Sequence, residues 1–138
     1  MDAIEKSLEL EASLERVWKA LTEPAELASW FPDDGAELDG FPGGSGWLAW
    51  KGHGRFALEV VVFEPPYRLA WRWSKDADTP VGEGLSTLVE WTLTPREDGG
   101  TLLEVRESGF ASHEHREGNR EGWEHELGEL VDHLARAA

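Results

Sequence analysis

A chain of 138 residues with 28 acidic and 13 basic side chains, and so a formal charge of −15, is sized for one domain and repels phosphate backbones and anionic membrane surfaces. Without a single cysteine it excludes disulfides, thiolate metal sites and cysteine nucleophiles, and it is compatible with a reducing compartment. The start, Met1-Asp2-Ala3-Ile4-Glu5-Lys6, lacks the build of a secretory signal and no apolar run approaches the roughly 20 residues of a membrane span, so a cytoplasmic protein is expected, with no nucleic-acid partner and no membrane insertion.

Taken in chain order, Ile4 to Leu10 alternates as a half-buried strand whose apolar side, Ile4, Leu8 and Leu10, is broken only by Lys6. Ser13 then caps a helix with Leu14, Val17, Trp18 and Leu21 at helical spacing. Thr22 and Pro24 restart a second short helix through Leu27, Trp30 and Phe31, which Pro32 closes. Asp33 to Gly46 is rich in Gly, Pro and Asp and reads as a loop, with Ala36 to Leu38 able to add a brief strand.

Four strand-like segments follow: Trp47 to Lys51 running on to Arg55 to Phe63, then Tyr67 to Ser74, Leu85 to Thr94, and Thr101 to Ser108. Their alternation puts Phe56, Leu58, Val60, Leu69, Trp71, Trp73, Thr87, Val89, Trp91, Leu93, Leu103 and Val105 on one side. Arg55, Glu59, Arg68, Arg72, Glu90, Glu104 and Arg106 fall on the other, where cross-strand ion pairs account for them. One wet face implies an antiparallel sheet. Trp47, Leu48, Ala49 and Trp50 do not alternate and cannot be oriented by pattern. The last element, about Gly118 to Ala135, carries Trp123, Leu127, Leu130, Val131 and Leu134 on one stripe, and the apolar face of the sheet is the surface available to cover it.

This order, with Val17-Trp18-Lys19-Ala20-Leu21-Thr22-Glu23-Pro24 and Leu27-Ala28-Ser29-Trp30-Phe31, resembles the activator of heat-shock-protein-90 ATPase homologue family of the START-like (SRPBCC, helix-grip) superfamily. Further matches are Gly43-Gly44 before a strand, Glu64-Pro65-Pro66-Tyr67-Arg68-Leu69 leading into Trp71-Arg72-Trp73, Gly99-Gly100-Thr101-Leu102-Leu103, and Gly122-Trp123 before Leu127. The resemblance spans nearly the whole chain and implies a single α+β domain over residues 1–138. In it a curved antiparallel sheet wraps around a long C-terminal helix, with two short helices after the first strand. It also implies a cavity between sheet and helix in which members of the superfamily bind lipids, hormones or polyketides, and some catalyse cyclisation or dehydration. The heat-shock role involves a further N-terminal domain for which this length leaves no room, so that activity is not carried over from the family's name; a co-chaperone-like interaction module is kept only as an alternative.

Eight tryptophans are the main chemical clue, since each is large and its indole N–H needs a partner when buried. Gly43-Gly44-Ser45-Gly46-Trp47 lacks the last glycine of a nucleophile elbow and the Lys-Ser/Thr of a phosphate loop. His125-Glu126-Leu127-Gly128-Glu129 has Glu129 where a zincin has its second histidine. The column Glu121, His125, Glu129, His133 lies mostly opposite the Trp123 stripe, in solvent. His113-Glu114-His115 reads as loop before the last helix, and His53 as a turn residue; no metal or cofactor site is assigned.

Asn119, Glu126 and His133 recur every seven residues along one margin of that helix, so one of them can look inward, and Glu126 is preferred. The expectation is a protein, monomer or homodimer, that binds a small apolar or aromatic ligand. The residues expected against it are Trp30, Phe41, Phe56, Leu58, Leu69, Trp71, Trp73, Val89, Trp91, Trp123, Glu126, Leu127 and Leu130, with Trp30, Phe31 and Phe41 at the mouth. An enzyme of cyclase or dehydratase type, with Glu126 as acid or base, is the rival.

Overall fold

The structure, a computed structural model, describes residues 2–136. Strand β1 (Ile4–Leu10) is followed by helices α1 (Leu14–Thr22) and α2 (Pro24–Trp30), strands β2 (Ala36–Leu38), β3 (Ser45–Trp50), β4 (Gly54–Glu64), β5 (Arg68–Ser74), β6 (Ser86–Pro95) and β7 (Thr101–Ser108), and helix α3 (His113–Arg136). All seven strands form one antiparallel sheet in the order β1-β7-β6-β5-β4-β3-β2, so the first strand closes the far edge beside β7. A bulge in β4 between Val60 and Val62 breaks the register with β5, a feature that bends a strand and deepens sheet curvature. Helix α3 lies on the concave side with Trp123, Leu127, Leu130 and Leu134 buried. This is the helix-grip fold.

The short helices pack under the same side. Ser13 Oγ accepts from the Arg16 N–H at 3.3 Å, and Val17, Ala20 and Leu21 are fully buried. Thr22 turns its hydroxyl back to the Trp18 carbonyl at 2.8 Å, so the residue before Pro24 that caps α2 is Glu23, by its extended backbone alone. His133 of α3 lies 2.7 Å from Glu26 of α2, which also accepts from Arg16 of α1 at 3.0 Å. Burial opposes the charge of Glu26, but the His133 and Arg16 hydrogen bonds outweigh it and hold its carboxyl below the usual value. Three helices are thereby tied at one carboxylate.

Four expectations are corrected. The stretch from Trp47 to Phe63 is a hairpin of two strands, because Gly52 (φ 79°) and Gly54 (φ 87°) supply the left-handed conformations that reverse the chain around His53. In β3, Leu48 and Trp50 point inward, whereas Trp47 lies on the outer face under the Arg55 guanidinium, 3.9 Å from the ring centre. Ala49 is outward yet buried, with its backbone N–H and C=O paired to Gly35 and Asp34; its burial hides the alternation. Helix α3 starts five residues earlier than expected, at His113, because Ser112 Oγ accepts from the His115 N–H at 3.1 Å. Val131, placed on the apolar stripe, is exposed, and His133, placed in solvent, is turned in toward α2.

Lys6, the residue that breaks the apolar side of β1, reaches Glu124 of α3 at 3.2 Å. On the outer face Arg106 pairs with Glu5 at 3.2 Å and with Glu90 at 3.4 Å across both neighbouring strands.

Candidate functional site

Between the N-terminal half of α3 and strands β3, β4 and β5 lies a cavity of about 480 Å³ that opens to solvent beside His53, Lys75, Glu114 and Gly118. Its wall is aromatic: Phe31 from the end of α2, Trp50 from β3, Phe56 from β4, Trp73 from β5 and Trp123 from α3. These rings support one another. Phe31 and Trp123 stack at 5.4 Å, Trp73 and Trp123 at 6.1 Å, and Trp50 meets Phe56 edge to face at 5.7 Å. Gly118 and Gly122 form part of the helical wall, and a Cβ on either would meet no atom within 4 Å. The absence of side chains at these positions leaves room between helix and sheet.

Glu107 orients the rings. It follows Leu103 and Val105 on the inward side of β7, is fully buried, and accepts hydrogen bonds on both carboxylate oxygens. Oε1 accepts from the Trp123 indole at 2.8 Å, and Oε2 from the Trp73 indole at 2.9 Å and from the Thr87 hydroxyl. The Asn119 amide lies 3.1 and 3.0 Å from the two oxygens. Trp73, Asn119 and Trp123 all line the cavity, so one buried carboxylate sets the orientation of three wall residues from two elements. Such a network satisfies buried polar atoms that would otherwise be costly.

Glu126, the other carboxylate here, is treated differently. It reaches the cavity from α3, and its Oε2 is buried with no hydrogen-bond partner. Burial first, then the charges of Glu129 and Asp33, push its pKa up to about 7 against the opposing Trp50 indole. At neutral pH it therefore divides between a proton donor and an acceptor. His115 at the mouth is also half-buried, its ring edge-on to Phe110 at 5.0 Å. Burial lowers its pKa, and so does nearby Lys75, while Glu107 and Asp76 pull the other way.

Of the residues expected at a ligand, the structure brings Phe56, Trp73, Trp123 and Glu126 to this wall. Leu58, Leu69, Trp71, Val89, Trp91, Leu127 and Leu130 are buried in the packed core beside it. Trp71 and Trp91 fill space and leave their indole nitrogens without partners. Of the three rings expected at the mouth, only Phe31 is on the wall. Trp30 is buried and donates to the Ala20 carbonyl at 2.8 Å, and Phe41 is exposed on the loop between β2 and β3. Along the helix margin, Asn119 and Glu126 face the cavity while His133 is bound to Glu26.

Sequence reasoning missed Trp50, Asn119 as a partner of Glu107, and Glu107 itself. The signal for Glu107 was its alternation with Leu103 and Val105, which puts a carboxylate at the next inward position. Among the described residues no three His, Asp or Glu side chains converge as a metal site, and no helix is long and apolar enough to cross a membrane.

Residues 11–135 match the family described as Activator of Hsp90 ATPase homolog 1-like protein. The chain belongs to this family. No curated protein matches the sequence. Among solved structures, a protein of Mesorhizobium loti superposes with a TM-score of 0.86 at 24% identity, covering 99% of both chains. DynU16, from the dynemicin biosynthetic locus, is 28% identical with a TM-score of 0.82; 98% of this chain is covered, but only 48% of DynU16. The Aha1 dimer from Colwellia psychrerythraea gives a TM-score of 0.79 at 20% identity over 97% of this chain and 96% of its own.

Proposed function

We propose that the chain binds a small apolar or aromatic molecule, in the cytoplasm, in the cavity between α3 and the sheet. The observation that carries this reading is the ring-lined opening of about 480 Å³, which lies within the volumes of roughly 300–1,000 Å³ typical of ligand sites. A few polar groups, Asn119 and Glu126 above all, are placed to orient the molecule. DynU16, 28% identical, belongs to a biosynthetic locus, which fits a small-molecule ligand. Native mass spectrometry of the freshly purified protein tests the reading by detecting a retained ligand. Tryptophan fluorescence against a library of lipids and aromatic compounds tests it independently, because Trp50, Trp73 and Trp123 are on the wall. An apo mass together with an unchanged spectrum for every compound would refute it.

A second reading, an enzyme of cyclase or dehydratase type, is favoured by the place of Glu126 on the cavity wall, where burial pushes its carboxyl up to about 7, a range in which it serves as acid or base. Its test is Glu126→Gln, which in an enzyme abolishes turnover of a bound compound and leaves its affinity nearly unchanged.

A further inference from the structure

A buried acceptor without a donor is rare in a folded protein and points to something that would satisfy it. Glu126 Oε2 is such an acceptor, and the residue that carries it lines the cavity rather than lying within the packed core. Glu107, behind the wall, is saturated by four donor side chains and Glu114 is exposed, so Glu126 is the partly buried carboxylate on the wall left to meet a ligand. Around it stand the rings of Phe31, Trp50, Phe56, Trp73 and Trp123, whose negative π faces attract cations.

The charge of the surroundings has the same sign. Glu114 is on the wall, and Asp33 and Glu129 are close enough to oppose ionisation of Glu126. Lys75, also on the wall, is 3.5 Å from Asp76, and no arginine lines the cavity among the described residues. His115 is held toward its neutral form. A formal charge of −15 over the chain favours the approach of a cation still further.

Building on the reading that this cavity takes a small molecule, the geometry points to a ligand that carries a protonated amine on an apolar or aromatic body. The ammonium donates a hydrogen bond to Glu126 and lies against the tryptophan faces, while the body fills the space left open by Gly118 and Gly122. The proton balance follows from the state of Glu126. In the empty cavity a good part of the population is protonated at neutral pH, and a cation beside the carboxyl group ionises that part. The carboxyl proton passes to the buffer, and amine binding is coupled to its release.

Titration calorimetry with phenylbutylamine, phenylbutanol and phenylbutyrate tests the proposal, since the three share one body and differ in charge. At about pH 8 the amine is expected to bind roughly tenfold or more tighter than the alcohol, the gain typical of a charge-assisted hydrogen bond, with the carboxylate weakest. Near neutral pH, amine titrations in two buffers of different ionisation enthalpy should report release of a fraction of a proton, absent for the alcohol. In Glu126→Gln the amine should lose both its advantage over the alcohol and the proton release. Alcohol or carboxylate binding as tightly as the amine, or an amine advantage that survives Glu126→Gln, overturns the proposal and leaves the cavity reading standing. No binding of any of the three to the intact protein counts against both.

Discussion

Two buried or partly buried carboxylates act at this cavity, Glu107 behind its wall and Glu126 on it, and their partners set them opposite tasks. Glu107 is enclosed by four donor side chains, two of them indoles from different elements; its removal strands Thr87, Asn119 and Trp123 as donors, while the Trp73 indole keeps only the Thr87 hydroxyl at 2.8 Å. At about 1–3 kcal/mol for each buried group left without a partner, Glu107→Ala is expected to cost more than about 4 kcal/mol in urea unfolding. A loss below about 1 kcal/mol would mean that the donors find other partners. Glu126 runs the other way. Its folded pKa is raised from 4.5 to about 7, so the folded state holds the proton more tightly than the unfolded chain. The contribution to stability is fully present below pH 4.5 and is lost as pH rises through 7. Glu126→Gln does not titrate, so it should match the parent near pH 4 and exceed it near pH 8. After allowance for solvent screening of a half-buried group the difference is about 1–2 kcal/mol. Thermal melts at the two pH values check this, and a difference that shrinks with rising pH would contradict it.

At the scale of elements, α3 both forms the wall and closes the fold, and its glycines serve the first task at the expense of the second. Gly122 lies within the helix, where glycine costs about 0.5–1 kcal/mol relative to alanine, yet a Cβ there would project into space with no atom within 4 Å. Gly122→Ala should therefore raise the melting temperature by the equivalent of roughly 0.5–1 kcal/mol and weaken any ligand that fills the cavity. Stability and binding moving in the same direction would place the ligand elsewhere. These residues also mark where pattern stops being informative. The stripe of Trp123, Leu127, Leu130 and Leu134 was legible because burial repeats with the helical period. The helix start was not, because His113, Glu114 and His115 carry no apolar signal and Ser112 acts through a single hydrogen bond. The orientation of β3 was lost for a related reason: Ala49 is outward yet buried where its backbone pairs with Asp34 and Gly35, a tertiary contact that leaves no mark on neighbouring residues.

For the molecule as a whole, alternation told which side of each strand faces inward, and that was enough for the sheet and the helix that crosses it. Whether facing rings touch or leave room depends on the distance between layers and the tilt of each ring, which Glu107 and the helix glycines decide and which no single strand encodes. Trp71 and Trp91 fill the interior while Trp50, Trp73 and Trp123 border a cavity, although β5 contributes to both sets with residues two apart. Charge acts at this same scale. With 28 acidic and 13 basic side chains, repulsion is spread over the surface and only partly offset by pairs such as Arg106 with Glu5 and Glu90. Those pairs are exposed and each contributes about 1 kcal/mol or less, whereas the unpaired excess is long-ranged where the Debye length is about 30 Å, near 0.01 M salt. Raising sodium chloride to about 0.5 M screens the excess more than it weakens the pairs, so the melting temperature should climb by about 3 °C or more. Sodium chloride is the informative salt, because sulfate would also strengthen burial of apolar surface and raise the melting temperature without any repulsion to relieve. A fall with sodium chloride would mean that the paired charges, not the unpaired acidic excess, dominate the electrostatic part of stability.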